Sequence, residues 1–444
     1  MKTTIIKASA LLILSMSAGA LNAQEREDNV TQVANVRPYD QSGINVFEAP
    51  KDTNAFFNKL KVKFGAGFTQ SFQGLEHTNA SGGLYNISPG FNTANANLYM
   101  DTQLADGILL NLTSYLSSRH HNETWVKGGY IQFDKLPFKG QIWDDIMKIA
   151  TIKVGHMEIN YGDQHFRRSD GGQTIYNPFV ENYIMDAFTT EIGGEILLRK
   201  NDLFGLVGVS NGMIKGNIDE LSPSPQGENT NKSPSLYLKG GFDKQLTELA
   251  RVRLSASYYT NSSSGGLTLY GGDRTGSNYF MAMERAGGTY SVNAFSGRLN
   301  PGFSKKIEAL QLNGFVKASG LELFATYEAA NGRTKNETSD RKATQFAADA
   351  VYRFGIEEKL FVGIRYNAVA ARLANVAAAG ANPGIVYNDD IKVDRIAFGA
   401  GWFLTRNILL KAEYVKQQYK DIPAADYRNG GEFKGYMVQA VVGF

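Results

Sequence analysis

Cysteine is absent from all 444 residues. Disulfides, thiolate metal sites and a lipid anchor on a cysteine are therefore excluded. Long apolar runs are missing too. Beyond the N-terminal segment no stretch of about 18 apolar residues occurs, so no helix of ordinary hydrophobicity would cross a bilayer. Proline is scarce at 11, and histidine numbers only five. GxSxG, P-loop and HExxH motifs are all lacking, so neither catalysis nor a bound cofactor is expected. A Ser–His pair assembled by folding is the remaining enzymatic alternative. Charge of one sign is not in excess: without Lys2 and Lys7 the balance is 44 basic to 43 acidic residues. Nothing there points to a nucleic-acid partner.

What is present is distributed unevenly. Met1–Ala23 carries Lys2 and Lys7, then the apolar Ala8–Met16, then small residues Ser17, Ala18, Gly19 and Ala20. That order predicts a secretory signal peptide over 1–23, cleaved after Ala20 or Ala23. Residues 24–58 lack a strand pattern and are expected to form a periplasmic N-terminal segment. This segment either braces the mouth of a barrel or stays disordered, with a short helix at Lys51–Leu60. From 59 to 444 the period becomes two. Val62, Phe64, Ala66 and Phe68 alternate with Lys61, Lys63, Gly65 and Gly67. Phe346, Ala348, Ala350, Tyr352 and Phe354 oppose Asp349 and Arg353, and Ile396, Phe398, Ala400 and Trp402 oppose Arg395, Gly399 and Gly401. Strands with one lipid-facing and one wet face need this alternation. Gly 47, Tyr 22 and Phe 26 suit tight turns and interfacial aromatic girdles.

Connections alternate between short and long. Ala105–Gly107, Lys200–Asp202, Gly355–Glu358 and Thr405–Arg406 are short, while Tyr161–Thr189, Met213–Ser233 and Asn261–Lys306 are long. Barrels with tight periplasmic turns and long outer loops have this rhythm. The fold class expected is all-β, a transmembrane antiparallel β-barrel of about 16 strands. Counts of fourteen and eighteen are the alternatives, because Trp125–Phe133 and Phe204–Val209 have ambiguous phase and Tyr290–Leu299 has the makings of an extra strand. Lys135–Lys148 is long for its side, with a helical turn expected at Asp144–Lys148.

A barrel of this size holds an aqueous lumen. Inward positions on its strands carry Arg251, Arg253, Arg353, Arg365, Arg395, Lys239 and Lys411, which are expected to line the pore. Asp101, Glu191, Glu195, Glu322, Glu328, Asp349 and Glu413 also face inward. The basic excess favours a mild anion preference, unless the charges simply pair across strands. Gly155–Glu195 is dense in unusual residues. It is a candidate constriction loop, with Arg167 and Arg168 set against Glu181 and Asp186; the alternative is a solvated outer loop. His120 and His121 beside Glu123 point to opposite strand faces and make a poor metal site, so none is expected.

The last residues, Tyr436 to Phe444, put apolar or aromatic side chains at 436, 438, 440, 442 and 444. A strand ending on a terminal aromatic resembles the C-terminal signal of Gram-negative outer-membrane β-barrels. That resemblance implies recognition by the barrel assembly machinery and residence among outer-membrane lipid. With the N-terminal segment and the strand rhythm over about 60–444, the chain resembles a Gram-negative porin. Gly155–Glu195 is also similar to a segment of proteins grouped loosely with phosphate-selective porins. The chain departs from those in lacking their N-terminal coiled-coil-like region, and no anion-ladder residue can be matched individually. The resemblance implies passive diffusion of small hydrophilic solutes or ions, and leaves monomer and homo-oligomer both open. A plugged structural or secretion-associated barrel and a transporter of hydrophobic molecules are the alternatives. A charged lumen disfavours the last.

Overall fold

The computed structural model describes residues 33–52, 57–117, 119, 123–214, 231–272, 275–379 and 384–444. The expected signal peptide, and His120 with His121, lie outside these residues. Alternating side chains have produced one sheet that closes on itself. Its wall strands are β1 (Lys61–Thr78), β2 (Asn95–Ala105), β3 (Ile108–Leu116) and β4 (Trp125–Phe133). β5 (Ala150–Glu158), β6 (Thr190–Lys200), β7 (Leu203–Ser210) and β8 (Ser235–Thr247) follow. Next come β9 (Ala250–Asn261), β10 (Lys306–Ala318), β11 (Leu321–Arg333) and β12 (Arg341–Phe354). β13 (Leu360–Ala371), β14 (Ile391–Thr405), β15 (Ile408–Lys420) and β16 (Glu432–Gly443) complete the wall. Each strand is antiparallel to its sequence neighbours, and β16 returns to β1 over Gly67↔Gly443 to Thr78↔Glu432. Phe444 seals the seam, its amide donating to the Ala66 carbonyl at 3.1 Å and its carbonyl accepting from the Ala66 amide at 2.9 Å. A two-residue strand, Gly90–Phe91, adds to β1 from an outer loop.

The outward face is apolar. Phe64, Leu98, Leu254, Tyr327, Phe346, Tyr366, Phe398, Tyr414 and Tyr436 are all exposed there. In water such a surface would be an aggregation hazard; around a closed barrel it is a lipid belt. The inward face carries Asn97, Asp101, Gln132, Glu322, Glu328, Asn367 and Gln417, all buried. Both described chain ends lie with the tight turns, opposite the long loops.

Three local expectations differ from the outcome. Tyr290–Leu299 holds no strand: Tyr290–Asn293 is a single helical turn inside a long loop. Residues 57–60 and Lys51–Asp52 are not helical, while 53–56 lie outside the described residues. The helical turn after β4 is longer than expected, at Gln141–Met147. The ambiguous phase of β4 has a physical cause. Its register with β3 shifts between Thr113↔Gly128 and Ser114↔Val126, leaving Lys127 as the extra residue of a bulge. On its other side β4 pairs with β5 only from Gly129↔His156 to Phe133↔Ile152. Gly155, at φ 153°, is needed there, because a Cβ would stand 2.4 Å from the Gly129 carbonyl oxygen.

Candidate functional site: a filled lumen with an off-centre passage

The lumen is not an empty cylinder. Residues 159–189, between β5 and β6, fold inward, and almost every one of them is buried. Leaving the wall, their backbone has no ladder to join, and buried amides and carbonyls must find partners elsewhere. Wall side chains supply them. The Lys411 ammonium donates to the carbonyls of Thr174, Asn177 and Phe179 at 2.9, 3.1 and 3.0 Å. Arg365 donates to the Glu181 carbonyl at 2.8 Å while its other nitrogens hold Asp349. Arg395 donates to the Asn182 carbonyl at 2.7 Å. Glu413 accepts from the Val180 amide, Asn367 from the Ile184 amide and Gln345 from the Met185 amide, at 2.8, 2.6 and 2.9 Å.

The basic residues read from the sequence are thus on the inner side of the wall, and most of them touch protein rather than open space. Arg253 grips Asp163 with two nitrogens at 2.8 and 2.9 Å and also meets Asp243 and Glu48. Lys239 joins the same cluster, 2.6 Å from Asp163 and 3.2 Å from Glu48. Arg353 pairs with Glu322 at 2.8 Å. Arg251, the most accessible of the seven, pairs with Asp243 at 2.6 Å and donates to the Asn45 carbonyl at 2.9 Å. Burial alone would raise the acids of this cluster, yet Lys239 and Arg253 outweigh it. They hold Glu48 down at about 2 and Asp163 well below the usual carboxylate range.

The four loop charges expected to face one another across a constriction are instead buried in pairs. Arg168 meets Asp186 of its own loop at 2.6 Å. Glu181 and Asp186 both meet Arg298, which belongs to the loop between β9 and β10, at 3.1 Å each. Arg167 lies 3.6 Å from Glu322 on the wall. Glu181 also accepts from the Asn278 amide at 2.6 Å, so it ties two inward loops together.

A third filler is the segment Val33–Asp52, lodged at the tight-turn end. Arg37 donates to the Gly43 carbonyl at 2.8 Å and stacks over Tyr176 at 3.7 Å. Tyr39 donates to Asp101 at 2.9 Å, Asp40 meets Arg406 at 2.6 Å, and Lys51 meets Asp134 at 3.1 Å. Glu48, Asp163 and Arg298 are central to the interior, yet sequence reasoning missed them. They sit in segments without periodicity, where no pattern tells inside from outside.

One cavity, of about 290 Å³, lies apart at the tight-turn end beside Gln41, Asn45, Arg251 and Arg353. The space that connects with the outer loops runs along the wall from β2 to β7. A cavity of about 260 Å³ lies there, lined in part by Tyr99, Lys153, His156 and Glu195. It shares Lys127, Phe188 and Thr190 with a vestibule of about 330 Å³ among the outer loops. Toward the tight turns it shares Phe47, Glu48 and Arg199 with a cavity of about 250 Å³, and Asn35 with one of about 410 Å³. Lys127, aimed inward by the bulge in β4, pairs with Asp170 of the inward loop at the junction of cavity and vestibule. Arg119 stands in the vestibule, stacked 4.3 Å over Phe295. Among the described residues no group of His, Asp and Glu side chains could hold a metal ion.

No protein-family model matches the sequence, and no curated protein matches it either. Solved structures do. An anion-selective porin from Comamonas acidovorans superposes with a TM-score of 0.53 at 10% identity, covering 87% of this chain and 100% of that one. The outer-membrane-expressed OmpT of Vibrio cholerae gives 0.48 at 10% identity, covering 88% and 99%. OprB of Pseudomonas putida gives 0.48 at 10% identity, covering 86% and 94%. Identities this low extend the likeness to the fold and no further. Closed sheet, apolar belt and fold together define a porin-like β-barrel of the bacterial outer membrane.

Proposed function

We propose that this barrel is a porin through which small hydrophilic solutes or ions diffuse passively, along the β2–β7 wall rather than down the barrel axis. One observation carries the reading: the central cavity shares lining residues with the outer vestibule on one side and, separately, with two cavities at the tight-turn end on the other. Charge along this route is mixed. Arg37, Lys127, Lys153, Arg168 and Arg199 stand against Glu48, Glu158, Asp170 and Glu195 in the central cavity, and Arg119 adds a cation in the vestibule. A small basic surplus supports a modest anion preference. In this reading five of the seven basic wall residues, Lys239, Arg253, Arg365, Arg395 and Lys411, act mainly as the seat on which the inward loop rests. Arg251 and Arg353 pair with wall carboxylates, and Arg168 is the expected loop charge that borders the passage. Single-channel recording in planar bilayers tests it, with small, ligand-independent conductance steps expected.

A second reading, a plugged barrel with no conductance, is favoured by the segment Val33–Asp52, which borders every cavity on the tight-turn side. Silence in the same recording, from a chain that folds and inserts, would establish it over the porin.

A further inference from the structure

The connection between β4 and β5 is the one tight-turn link that builds a helix, Gln141–Met147, and the helix leaves half of its apolar face bare. At about 100° per residue, Ile142, Trp143, Ile146 and Met147 share one side, while Gln141, Asp144, Asp145 and Lys148 share the other. Met147 is buried at 4% exposure against the barrel. Ile142 is 73% exposed, and Ile146 and Trp143 lie open beside it. Phe138, just before the helix, is 56% exposed and packs its ring 5.5 Å from Trp143. Four large apolar side chains thus form one uncovered patch at the rim.

We propose that this helix is an interfacial anchor, lying in the phospholipid leaflet on the periplasmic side with Phe138, Ile142, Trp143 and Ile146 sunk to the glycerol level. Continuity with the lipid belt identifies the occupant. Ile131 on β4, Val154 on β5 and Leu104 on β2 are exposed on the same flank, and the belt reaches the strand ends at Leu203 and Leu249. Trp143 also borders the cavity of about 410 Å³ at the tight-turn end, so its ring stands between that cavity and the exposed Phe138, Ile142 and Ile146. Its charges select a neutral surface over an acidic one. Lys135 pairs with Asp106 at 2.9 Å and Lys148 with Asp145 at 2.6 Å, leaving Lys139 balanced by Asp144. An amphipathic helix with tryptophan at its edge and no cationic excess fits the boundary of a zwitterionic bilayer. The inference stands whether or not the lumen conducts.

Because the chain has no cysteine and only three tryptophans, Trp125, Trp143 and Trp402, both needed probes are clean. The full-length protein is refolded into phosphatidylcholine vesicles as Trp125→Phe/Trp402→Phe, leaving Trp143 as the only emitter. Phosphatidylcholine brominated near the glycerol should quench its emission by a third or more, with little change when anionic lipid is added. In parallel, Ile142→Cys carrying a nitroxide should collide with oxygen more than with a water-soluble nickel chelate. Heat-modifiable migration on gels verifies the fold of each variant. Absent quenching together with free access to the nickel chelate would overturn the proposal by placing the helix in water. Shielding from lipid, oxygen and chelate alike would overturn it too, by placing the patch against protein.

Discussion

Lys411 shows at the scale of one residue how this interior is held. Its ammonium lies at 2% exposure and is surrounded by three carbonyls of the inward loop. Each carbonyl deprived of its donor costs roughly 1–3 kcal/mol when it stays buried. Lys411→Ala is therefore expected to loosen the loop without opening the wall, whose ladder it does not join. Single-channel traces should become noisier with a larger mean step, while heat-modifiable migration stays as in the wild type. An unchanged trace would mean that the loop does not depend on this seat. Glu48 makes the complementary case on the N-terminal segment. Held at about 2 by Lys239 and Arg253 against its own burial, it binds its proton less readily in the folded state than in the unfolded one. Its contribution is present above the unfolded carboxyl range and is lost as pH falls from about 4.5 toward 2. Protease access to Val33–Asp52 should rise across that window, and Glu48→Gln should show raised access already at neutral pH.

Among elements, the wall and its filling obey different rules, and only the first could be read in advance. Along the tight-turn portion of β10 to β16 the outward phase is apolar, so Phe346, Tyr352, Phe398 and Tyr436 could be assigned from alternation alone, while toward the long loops the same phase carries Lys342, Lys392, Lys416 and Lys434. At β4 the bulge at Lys127 broke the period, and that same break aims a charged side chain to where the central cavity meets the vestibule. The inward loop was legible as dense in charge, but only partly in its pairing. Arg168 does meet Asp186 of the opposing set, whereas Glu181 with Arg298 depends on a contact between segments that no local spacing encodes. The N-terminal segment was least legible, being irregular and anchored through single side chains such as Tyr39 and Lys51. It is also the element whose removal changes the lumen most, since it borders every cavity near the tight turns. Deleting Val33–Asp52 should leave a folded barrel, because no wall strand is lost, and should raise single-channel conductance severalfold. Equal conductance with and without the segment would show that solutes do not pass it.

Selectivity belongs to the whole molecule, yet the whole-molecule charge does not set it. The balance of 44 basic to 43 acidic residues outside Lys2 and Lys7 is close to neutral. Surface charges farther than about 8–10 Å from the passage are screened at physiological salt. What an ion meets is the local set, and much of the basic wall is removed from that set. Arg353, Arg365 and Arg395 are buried with carboxylates, amides or loop carbonyls against them. The remaining surplus rests on Arg119 and Lys127 near the vestibule, with Asp170 as the opposing charge. The wild type should accordingly show a modest anion preference in reversal-potential measurements under a KCl gradient, shrinking as salt rises. Lys127→Glu should move the reversal potential toward cations, because it replaces the neck's cation with an acid beside Asp170. Arg365→Gln should alter it little, although it should disturb the loop. A wild type that prefers cations would remove the anion reading altogether. If Arg365→Gln shifts the potential more than Lys127→Glu does, the ions run through the barrel's centre and the off-centre passage is wrong.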